Sequence, residues 1–352
     1  MRALGGASLR QPTLKDVAER AKVSYATADR VLNGRAPVRE DTAERVLSAV
    51  AELGYVRNVA AANLSRRRVY AFVVLLPSGP NAFFQRMRRI LAERAARDAT
   101  MATRIEVREV AAFDPASLAA ELIRLADEGV DGVAAVGLDG PGLEEAVGRL
   151  RAAGIALVSL VSPLAGTEAR DYVGIDNMAA GRTAGRLVGL ACRAPGGPVQ
   201  PIVGALNSRD HRQRLDGFHE VLARDFPTLE TLPPIEGRDD AETVEREIGR
   251  ALAAGEVAAI YNVGAGNSGL ARALAARSPR PFCVVHELVP HSRRALESGL
   301  FDIVLDQRPE VEIRTALDRL RALSDGVEGP VADPLFPTIL VKDNLPPDGG
   351  DT

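Results

Sequence analysis

Residues 13–33 read TLKDVAERAKVSYATADRVLN, a stretch that predicts two short amphipathic helices joined by a tight turn. Thr13 is a good helix N-cap, and Asp16 can return its hydrogen bond in a capping-box arrangement. The predicted turn falls at Lys22, and Ser24 stands where it can cap the second helix. The apolar residues that this spacing turns inward are Val17, Ala18, Ala21, Ala28, Val31 and Leu32.

A helix-turn-helix presents the first turns of its second helix to the major groove of DNA. The side chains that point outward from those turns are Tyr25, Ala26 and Arg30. Arg30 can donate two hydrogen bonds to a guanine edge, and Tyr25 offers both a ring and a hydroxyl. We therefore predict that these three residues read the base sequence. The alternative is a small helical hairpin without a nucleic-acid role.

A third helix is predicted from about Arg39 to Leu53, and Gly54 is its expected C-cap. The apolar positions of this helix are Ala43, Val46, Leu47, Val50 and Leu53. The segments that follow the first stretch are VREDTAERVLSAVAELGY at 38–55 and the hinge-like NVAAANL at 58–64. In this order the parts resemble the LacI family of transcriptional regulators, and the resemblance extends over about residues 12–345.

The resemblance implies a role for the short segment after the third helix. Leu64 matches the family leucine that wedges into the minor groove at the operator centre and kinks the DNA. An Ala-rich helix of about two turns is largely unfolded alone in water, so we expect it to order only with DNA and a partner hinge. The candidates for contacts to the phosphate backbone, which position without specifying, are Thr13, Ser24, Thr27, Asn33, Arg39, Thr42 and Asn58.

The net charge of −3 conceals an uneven distribution. Residues 1–68 contain 13 Lys+Arg and 7 Asp+Glu, a balance of +6, whereas the remaining residues contain 31 and 40, a balance of −9. A basic N-terminal part suits a module that binds phosphates, and an acidic remainder suits a soluble regulatory domain.

Further features of the composition indicate a cytoplasmic protein. Cys192 and Cys283 are far apart in small or apolar surroundings, which favours free thiols in a reducing compartment. No apolar stretch approaches the ~18–20 residues of a membrane span. Residues 1–11 are too short and polar for a signal peptide and are predicted to be a disordered tail.

From Val69 onward, apolar runs alternate with helical segments, which predicts an α/β domain with doubly wound parallel sheets. The runs interpreted as buried strands are VYAFVVLLP, GVAAVGL, IALVSLV, PIVGALN, VAAIYNV, PFCVVHE and FDIVLDQ. Their number exceeds one sheet, so we expect two lobes that hold a ligand at the carboxyl ends of the strands. The family resemblance implies the periplasmic-binding-protein-like fold of type I.

These patterns define the predicted domain limits. The N-terminal all-α helix-turn-helix headpiece is followed by a hinge or linker and by a two-lobed domain for effector binding and dimerisation. The limits, in chain order, are tail 1–11, headpiece 12–57, hinge 58–68, two-lobed domain 69–345 and tail 346–352. Lobe 1 is predicted at about 69–177 plus 306–337, and lobe 2 at about 178–305 plus 338–345.

The first predicted strand is followed by Asn81, Phe83 and Phe84, a segment similar to the one with which ribose-type binding proteins meet their sugar. Aromatic rings suit the apolar face of a sugar, and an amide supplies a donor and an acceptor to hydroxyls. The alternative is that the two phenylalanines simply begin a helix that faces the core.

Further candidates for effector binding lie in the second half of the chain. Arg214, in RQRLDGF at 212–218, resembles the family arginine that reaches the ligand, and its planar fork suits paired oxygens. Glu287 and Gln307 each follow a predicted strand, as the acid and amide of the sugar site do in the family. Ser162 lies in VSP at 161–163, where ribose-type proteins carry an Asp-Arg pair, and Asn262 begins NVG at 262–264, where they carry Asn-Asp. We therefore expect a site less polar than one for a free sugar.

Residues 264–269 spell GxGxxG between a predicted strand and helix, and Glu287 follows 18 residues later. This is nearly the dinucleotide fingerprint, so an NAD(P)-dependent enzyme is an alternative function. Against it, the unit lies late in the domain and no residue set for hydride transfer is evident. The four histidines have no metal-site spacing, and no catalytic residues, metal or cofactor are predicted.

The sequence as a whole predicts a ligand-controlled repressor that binds a pseudo-palindromic double-stranded DNA operator as a homodimer. The expected effector is a sugar, polyol or sugar derivative bound between the two lobes. The remaining alternative is a solute-binding protein without a regulatory role, which the basic N-terminal part disfavours.

Overall fold

A computed structural model describes the chain at residues 12–33, 38–55, 68–98, 102–327 and 335–347. The chain divides into two compact units, one within residues 1–68 and the other within residues 69–352. Asn58 and Leu64 of the predicted hinge lie outside the described residues. No helix in the described ranges has the length and apolar character needed to cross a bilayer.

The first unit is built from helices α1 (Leu14–Ala21), α2 (Tyr25–Asn33) and α3 (Glu40–Leu53). The predicted capping box is confirmed, because the amide of Thr13 donates to Asp16 Oδ2 at 2.6 Å and the amide of Asp16 donates back to Thr13 Oγ1 at 3.4 Å. Lys22 ends α1 in the left-handed conformation. Ser24 caps α2 as predicted, since its Oγ accepts from the amide of Thr27 at 3.1 Å.

The core of this unit contains the residues that the helical spacing turned inward, except Ala43 and Leu47. Val17, Ala28 and Val46 are fully buried at its centre. Leu47, an apolar position of α3, is 55% exposed, and Ala49 is buried in its place. The reason is geometric, because positions three apart on a helix share a face whereas adjacent positions do not.

The second unit contains two sheets, and the strands of the first are all parallel in the order β2-β1-β3-β4-β5. These strands are β1 (Tyr70–Pro77), β2 (Thr103–Val110), β3 (Gly132–Val136), β4 (Ala156–Leu160) and β5 (Tyr172–Val173). The helices between them are α4 (Ala82–Asp98), α5 (Pro115–Glu128) and α6 (Leu143–Ala152).

The second sheet has the order β12-β11-β10-β9-β6-β7, with β8 also paired to β6, and β12 alone is antiparallel. Its strands are β6 (Gly197–Val203), β7 (Leu229–Thr231), β8 (Ile235–Glu236), β9 (Ala259–Asn262), β10 (Phe282–His286), β11 (Ile303–Asp306) and β12 (Thr338–Leu340). The remaining helices are α7 (Asn177–Ala191), α8 (Arg209–Asp225), α9 (Ala241–Ala254), α10 (Asn267–Ala275), α11 (Pro290–Glu297) and α12 (Pro309–Ser324).

The predicted two-lobed, doubly wound α/β fold is confirmed. All seven predicted strands are present, and each sheet is buried on both faces. In β1, for example, Phe72 and Val74 face one core whereas Val73 and Leu75 face the other. Some elements were not predicted, and β2 illustrates why. It is an edge strand with partly exposed charged residues, so it lacks the continuous apolar run of a central strand.

Glycines allow α7 and α8 to lie unusually close together. A Cβ atom at Gly181 would stand 1.9 Å from the carbonyl oxygen of Arg214, and one at Gly217 would stand 2.2 Å from that of Met178. Further along the same contact, a Cβ at Gly189 would meet the ring of Phe226 at 2.2 Å. The approach of the two backbones therefore places α8, and with it Arg214, at a defined depth in the second lobe.

We predict that Gly181→Ala lowers the free energy of unfolding by more than about 2 kcal/mol, because the new methyl group would overlap a backbone carbonyl that cannot rotate away. Urea denaturation measures the effect. Gly249→Ala in α9 is the matched control, since its Cβ would meet nothing within 4 Å. That change should stabilise the protein by roughly 0.5–1 kcal/mol. Equal stabilities for the two variants would contradict the packing argument.

Candidate functional site

The first unit presents the predicted base-reading residues to solvent. Tyr25 is 60% exposed, and Ala26 and Arg30 are also exposed on the first two turns of α2. Tyr25 carries one of the largest exposed apolar surfaces among the described residues. An aromatic ring and a guanidinium on adjacent turns can make apolar and forked polar contacts with base edges.

The residues predicted to contact the DNA backbone differ in their exposure. Ser24 and Arg39 are exposed, whereas Thr13, Thr27 and Thr42 are half-buried. The hydroxyl of Thr13 is bonded to Asp16 Oδ2 at 2.6 Å, so it serves the capping box. The backbone of Asn33 ends α2. The positions of Asn58 and Leu64 lie outside the described residues.

In the second unit, a cavity of about 150 Å³ lies between the two lobes. The carboxyl ends of strands from both sheets form its walls, as expected for doubly wound sheets. Six of the eight predicted effector-binding residues line it, namely Asn81, Phe83, Phe84, Arg214, Glu287 and Gln307.

The other two predicted residues, Ser162 and Asn262, do not line the cavity. Ser162 is 1% exposed, and its Oγ accepts from the amide of Asp210 at 3.4 Å. Asn262 is fully buried and donates from Nδ2 to Ala265 O at 3.1 Å and to Asn267 Oδ1 at 2.7 Å. Ser162 thus bonds the first turn of α8, and Asn262 bonds the segment between β9 and α10. The prediction that these two side chains line the site is therefore corrected. A position at the end of a strand does not determine the direction in which the side chain points.

Arg214 projects from α8 into the closed end of the cavity and is 2% exposed. Its Nε donates to Asn177 Oδ1 at 2.8 Å, and its Nη1 donates to Val263 O at 3.0 Å. Its Nη2 makes no hydrogen bond with the described residues and lies 3.8 Å from Asp210 Oδ2. Two nitrogens of the guanidinium are thus bonded within the protein, and Nη2 is available to donate to another molecule.

Asp210 supplies the negative charge that faces this guanidinium. Burial raises the pKa of its carboxyl, but the charges of His211 and Arg214 and the hydrogen bond from Ser208 outweigh burial and leave the pKa below its ordinary value. The Ser208 hydroxyl donates to Asp210 Oδ1 at 2.6 Å. Asp210 is therefore ionised at neutral pH and balances the charge of Arg214.

Glu287 and Gln307 form a second polar pair beside Arg214. Gln307 Nε2 donates to Glu287 Oε1 at 2.5 Å, while Glu287 Oε2 and Gln307 Oε1 make no hydrogen bond with the described residues. Burial, followed by the charge of Asp306, raises the pKa of Glu287 to about 8. The carboxyl is therefore largely protonated at pH 7, so its free oxygen can donate a hydrogen bond.

Two residues that follow strands at the cavity have a left-handed backbone conformation although neither is a glycine. Glu287 has φ +71° after β10, and Val161 has φ +64° after β4. This conformation costs roughly 1–2 kcal/mol for such residues, and it persists where the surrounding structure imposes it. It turns Glu287 toward Gln307 instead of along the strand.

Several lining residues were missed by sequence reasoning, notably Phe113, Asp239 and His286. Asp239 bridges the lobes, because its Oδ2 accepts from Asn81 Nδ2 at 2.7 Å and its Oδ1 accepts from Ala265 N at 2.9 Å. Phe113 and Asp239 lie in loops without a periodic pattern. His286 could have been predicted as a lining residue, because it stands at the end of a predicted strand next to Glu287.

A second set of contacts crosses the cleft near its outer edge. Asp139, in the loop after β3, forms salt bridges with Arg209 and Arg212 of α8. The amide of Asp139 also donates to Asn207 O at 3.1 Å. The two lobes therefore touch across the cleft through two sets of contacts, that of Asn81 with Asp239 and those of Asp139.

The GxGxxG segment has a structural explanation within the fold. A Cβ at Gly269 would stand 1.8 Å from the carbonyl oxygen of Ala241, so this glycine allows α10 to pack on α9. Gly266 has φ +84° immediately before α10, and a Cβ at Gly264 would stand 2.9 Å from the amide nitrogen of Gly204. Each glycine therefore meets a requirement of close packing or backbone conformation.

Two family models match the chain, one for each unit. Residues 13–58 match the lacI family of bacterial regulatory proteins, and residues 72–328 match the periplasmic binding protein domain. The chain belongs to the family of periplasmic binding protein domains, and its residues 13–58 match the lacI family. Its two matched regions correspond to the helix-turn-helix unit and to the two-lobed unit that contains the cavity.

Curated relatives match the chain over a short region. It is 46% identical over 72 residues to the HTH-type transcriptional regulator RegA of Clostridium saccharobutylicum. It is 43% identical over 77 residues to the ribose operon repressor of Bacillus subtilis. These regions cover 20% and 22% of this chain and 22% and 24% of those relatives, so the chain matches less than a quarter of their length.

Solved structures share the fold of the two-lobed unit. A solute-binding protein from Burkholderia graminis in complex with D-arabinose has a TM-score of 0.72 at 22% identity, covering 79% of this chain and 97% of that one. A putative LacI transcriptional regulator from Bacteroides fragilis has a TM-score of 0.69 at 16% identity, covering 79% and 98%. These similarities establish the fold.

We predict that Glu287→Gln flattens the dependence of stability on pH between pH 5 and pH 8. The folded-state pKa of about 8 lies above the ordinary value of 4.5, so the wild type binds more protons when folded across this interval. Its stability therefore falls as pH rises toward 8, by on the order of a few kcal/mol. Urea denaturation at both pH values measures the slope, and parallel slopes for the two proteins would disprove the assignment.

Proposed function

We propose that this protein is a DNA-binding transcriptional regulator of the lacI family, acting as a repressor, whose operator affinity depends on a small ligand in the cleft. One observation carries the proposal: the lacI region at 13–58 and the periplasmic binding protein domain at 72–328 lie in a single chain. A module that recognises DNA is thereby covalently joined to a module that encloses small molecules.

On the DNA side, we propose that Tyr25, Ala26 and Arg30 read base edges in the major groove. Their exposure on the first turns of α2 supports this role. Leu64 would insert into the minor groove from the hinge. A homodimer would place two such units on the half-sites of a pseudo-palindromic operator. The proposed backbone contacts are Thr13, Ser24, Thr27, Asn33, Arg39, Thr42 and Asn58.

On the ligand side, we propose that the effector binds among Arg214, Glu287 and Gln307 at the closed end of the cavity. Their free hydrogen-bonding atoms support this, since buried polar groups normally have partners. Asn81, Phe83 and Phe84 would contact it from the other lobe. A ligand that favours one arrangement of the lobes would shift the population of that arrangement and thereby change operator affinity.

We further propose that the cleft binds without catalysing a reaction. The GxGxxG glycines are accounted for by close packing, including that of α10 on α9, and by the backbone conformation before α10. The described residues contain no cluster of three or more potential metal ligands. The lacI region supports a regulator over a solute-binding protein, and a regulator of this kind would act in the cytoplasm, where its DNA lies.

Arg30→Ala should weaken binding to an operator obtained by in vitro selection about 10- to 100-fold. The change removes a forked donor to a base edge, which is worth about 1–3 kcal/mol. Fluorescence anisotropy with labelled duplex DNA at fixed salt gives the Kd.

The matched control is Arg272→Ala, which removes an equal charge from an exposed pair with Glu245 in the second unit. It should leave the Kd within about twofold. Equal losses in the two variants would indicate a general effect of charge and would count against base reading.

Arg214→Lys should abolish the response of operator binding to a ligand found by a thermal-shift screen of sugars and polyols. A lysine carries its donors on a single nitrogen, so it cannot reproduce the planar spacing with which the guanidinium meets Asn177, Val263 O and the cleft. Operator affinity without ligand should stay within about twofold of wild type. The control is Arg182→Lys, because Arg182 is a half-exposed residue that forms a salt bridge with Glu220. An unchanged ligand response in Arg214→Lys would remove this residue from the site.

A further inference from the structure

The two walls of the cavity differ in chemical character. The wall contributed by the first lobe is largely apolar and includes Pro77, Phe83, Phe113, Val136, Leu138 and Val161. Its polar lining side chains are those of Ser78 and Asn81. Both amide atoms of Asn81 are already bonded, because Nδ2 donates to Asp239 and Oδ1 accepts from the amide of Phe83. This wall therefore offers a ligand few hydrogen bonds.

The wall contributed by the second lobe carries the unsatisfied polar atoms. Arg214 Nη2, Glu287 Oε2, Gln307 Oε1 and His286 Nδ1 make no hydrogen bond with the described residues. Their four residues are 2%, 7%, 3% and 0% exposed, so bulk water does not satisfy them. They come from α8 and from the ends of β10 and β11, which meet at one end of the cavity. Hydrogen-bonding groups of a ligand are thus required along one edge only.

The charges along this edge are balanced. Arg214 faces the ionised Asp210 at 3.8 Å, and Glu287 is largely neutral at pH 7 because burial raises its pKa to about 8. Asp306, behind Glu287, lies 3.2 Å from the guanidinium of Arg86. Arg238 is an exposed cation of the lining, but at the buried edge an anionic ligand would meet charges that already balance one another.

We propose that the effector is a neutral amphipathic molecule, with hydroxyl or carbonyl groups along one edge and an apolar face or substituent on the other. This inference rests on the proposed function and narrows the ligand class of the same cleft. A sugar hydroxylated all round would place hydroxyl groups against the apolar wall, where each would lose water without gaining a partner. Each such group would weaken binding about tenfold or more.

The test compares three probes that share a six-membered carbon ring. In cis-cyclohexane-1,2-diol the two hydroxyls lie on one edge, myo-inositol is hydroxylated all round, and cyclohexanecarboxylate is apolar with a negative charge. Ligand-observed NMR on the full chain at pH 7 gives the three Kd values. The diol should bind at least about tenfold more tightly than either of the others. Tighter binding of myo-inositol or of the carboxylate, or no binding of the diol, would overturn the proposal.

A pair of variants locates the binding in this cavity. Leu138→Asn adds a polar group to the apolar wall and should weaken diol binding about tenfold, whereas Val327→Asn, at an exposed valine outside the cavity, should not. Equal diol affinity in both variants would place the diol elsewhere and overturn the proposal. The comparison of probes on the wild type needs no variant to fold.

Operator binding separates this proposal from the function on which it rests. If the ligand-free protein binds a selected operator but prefers myo-inositol, the ligand class is wrong and the regulator stands. If the diol is preferred but no DNA is bound in anisotropy measurements, the chemistry of the cleft stands and the proposed regulator fails.

Discussion

The close contact between α7 and α8 is the constraint on which the candidate ligand site depends. Glycines remove the side chains that would hold the two backbones apart, and Gly181 lies against the carbonyl of Arg214 itself. Asn177 at the start of α7 then reaches Arg214 Nε at 2.8 Å. The guanidinium is thereby held with two of its nitrogens bonded inside the protein and the third directed toward the cleft. Without that approach, the buried cation would lose the partners that offset its desolvation.

The other residues of the cleft are arranged around this fixed polar end. Glu287 and Gln307 extend it along the ends of β10 and β11, and Asp210 balances its charge. The first lobe contributes mainly apolar surface and closes on the second through Asn81–Asp239 and the salt bridges of Asp139. A ligand held at the polar end meets both lobes, so its binding energy can favour one lobe arrangement over another.

Local patterns predicted much of the fold and part of the site. Capping residues and apolar spacing predicted the helices of the first unit, and continuous apolar runs predicted the central strands. The edge strand β2 was missed, because half-exposed strands carry charges that break the run. Within the site, Arg214, Glu287 and Gln307 reach the cavity. Ser162 instead bonds the first turn of α8, and Asn262 bonds the segment after β9. Strand-end position alone does not distinguish these outcomes.

The sequence by itself determined the order of the units, the elements of the helix-turn-helix and the strands that form two sheets, because capping residues, helical spacing and continuous apolar runs are local patterns of the chain. Only the tertiary structure decided which polar atoms remain available to a ligand. The side-chain amide of Asn81 donates to Asp239, and the side-chain amide nitrogen of Gln307 donates to Glu287. Arg214 Nη2, in contrast, has no hydrogen-bond partner among the described residues. Such pairings join residues far apart in the chain, so they exist only once the lobes have packed.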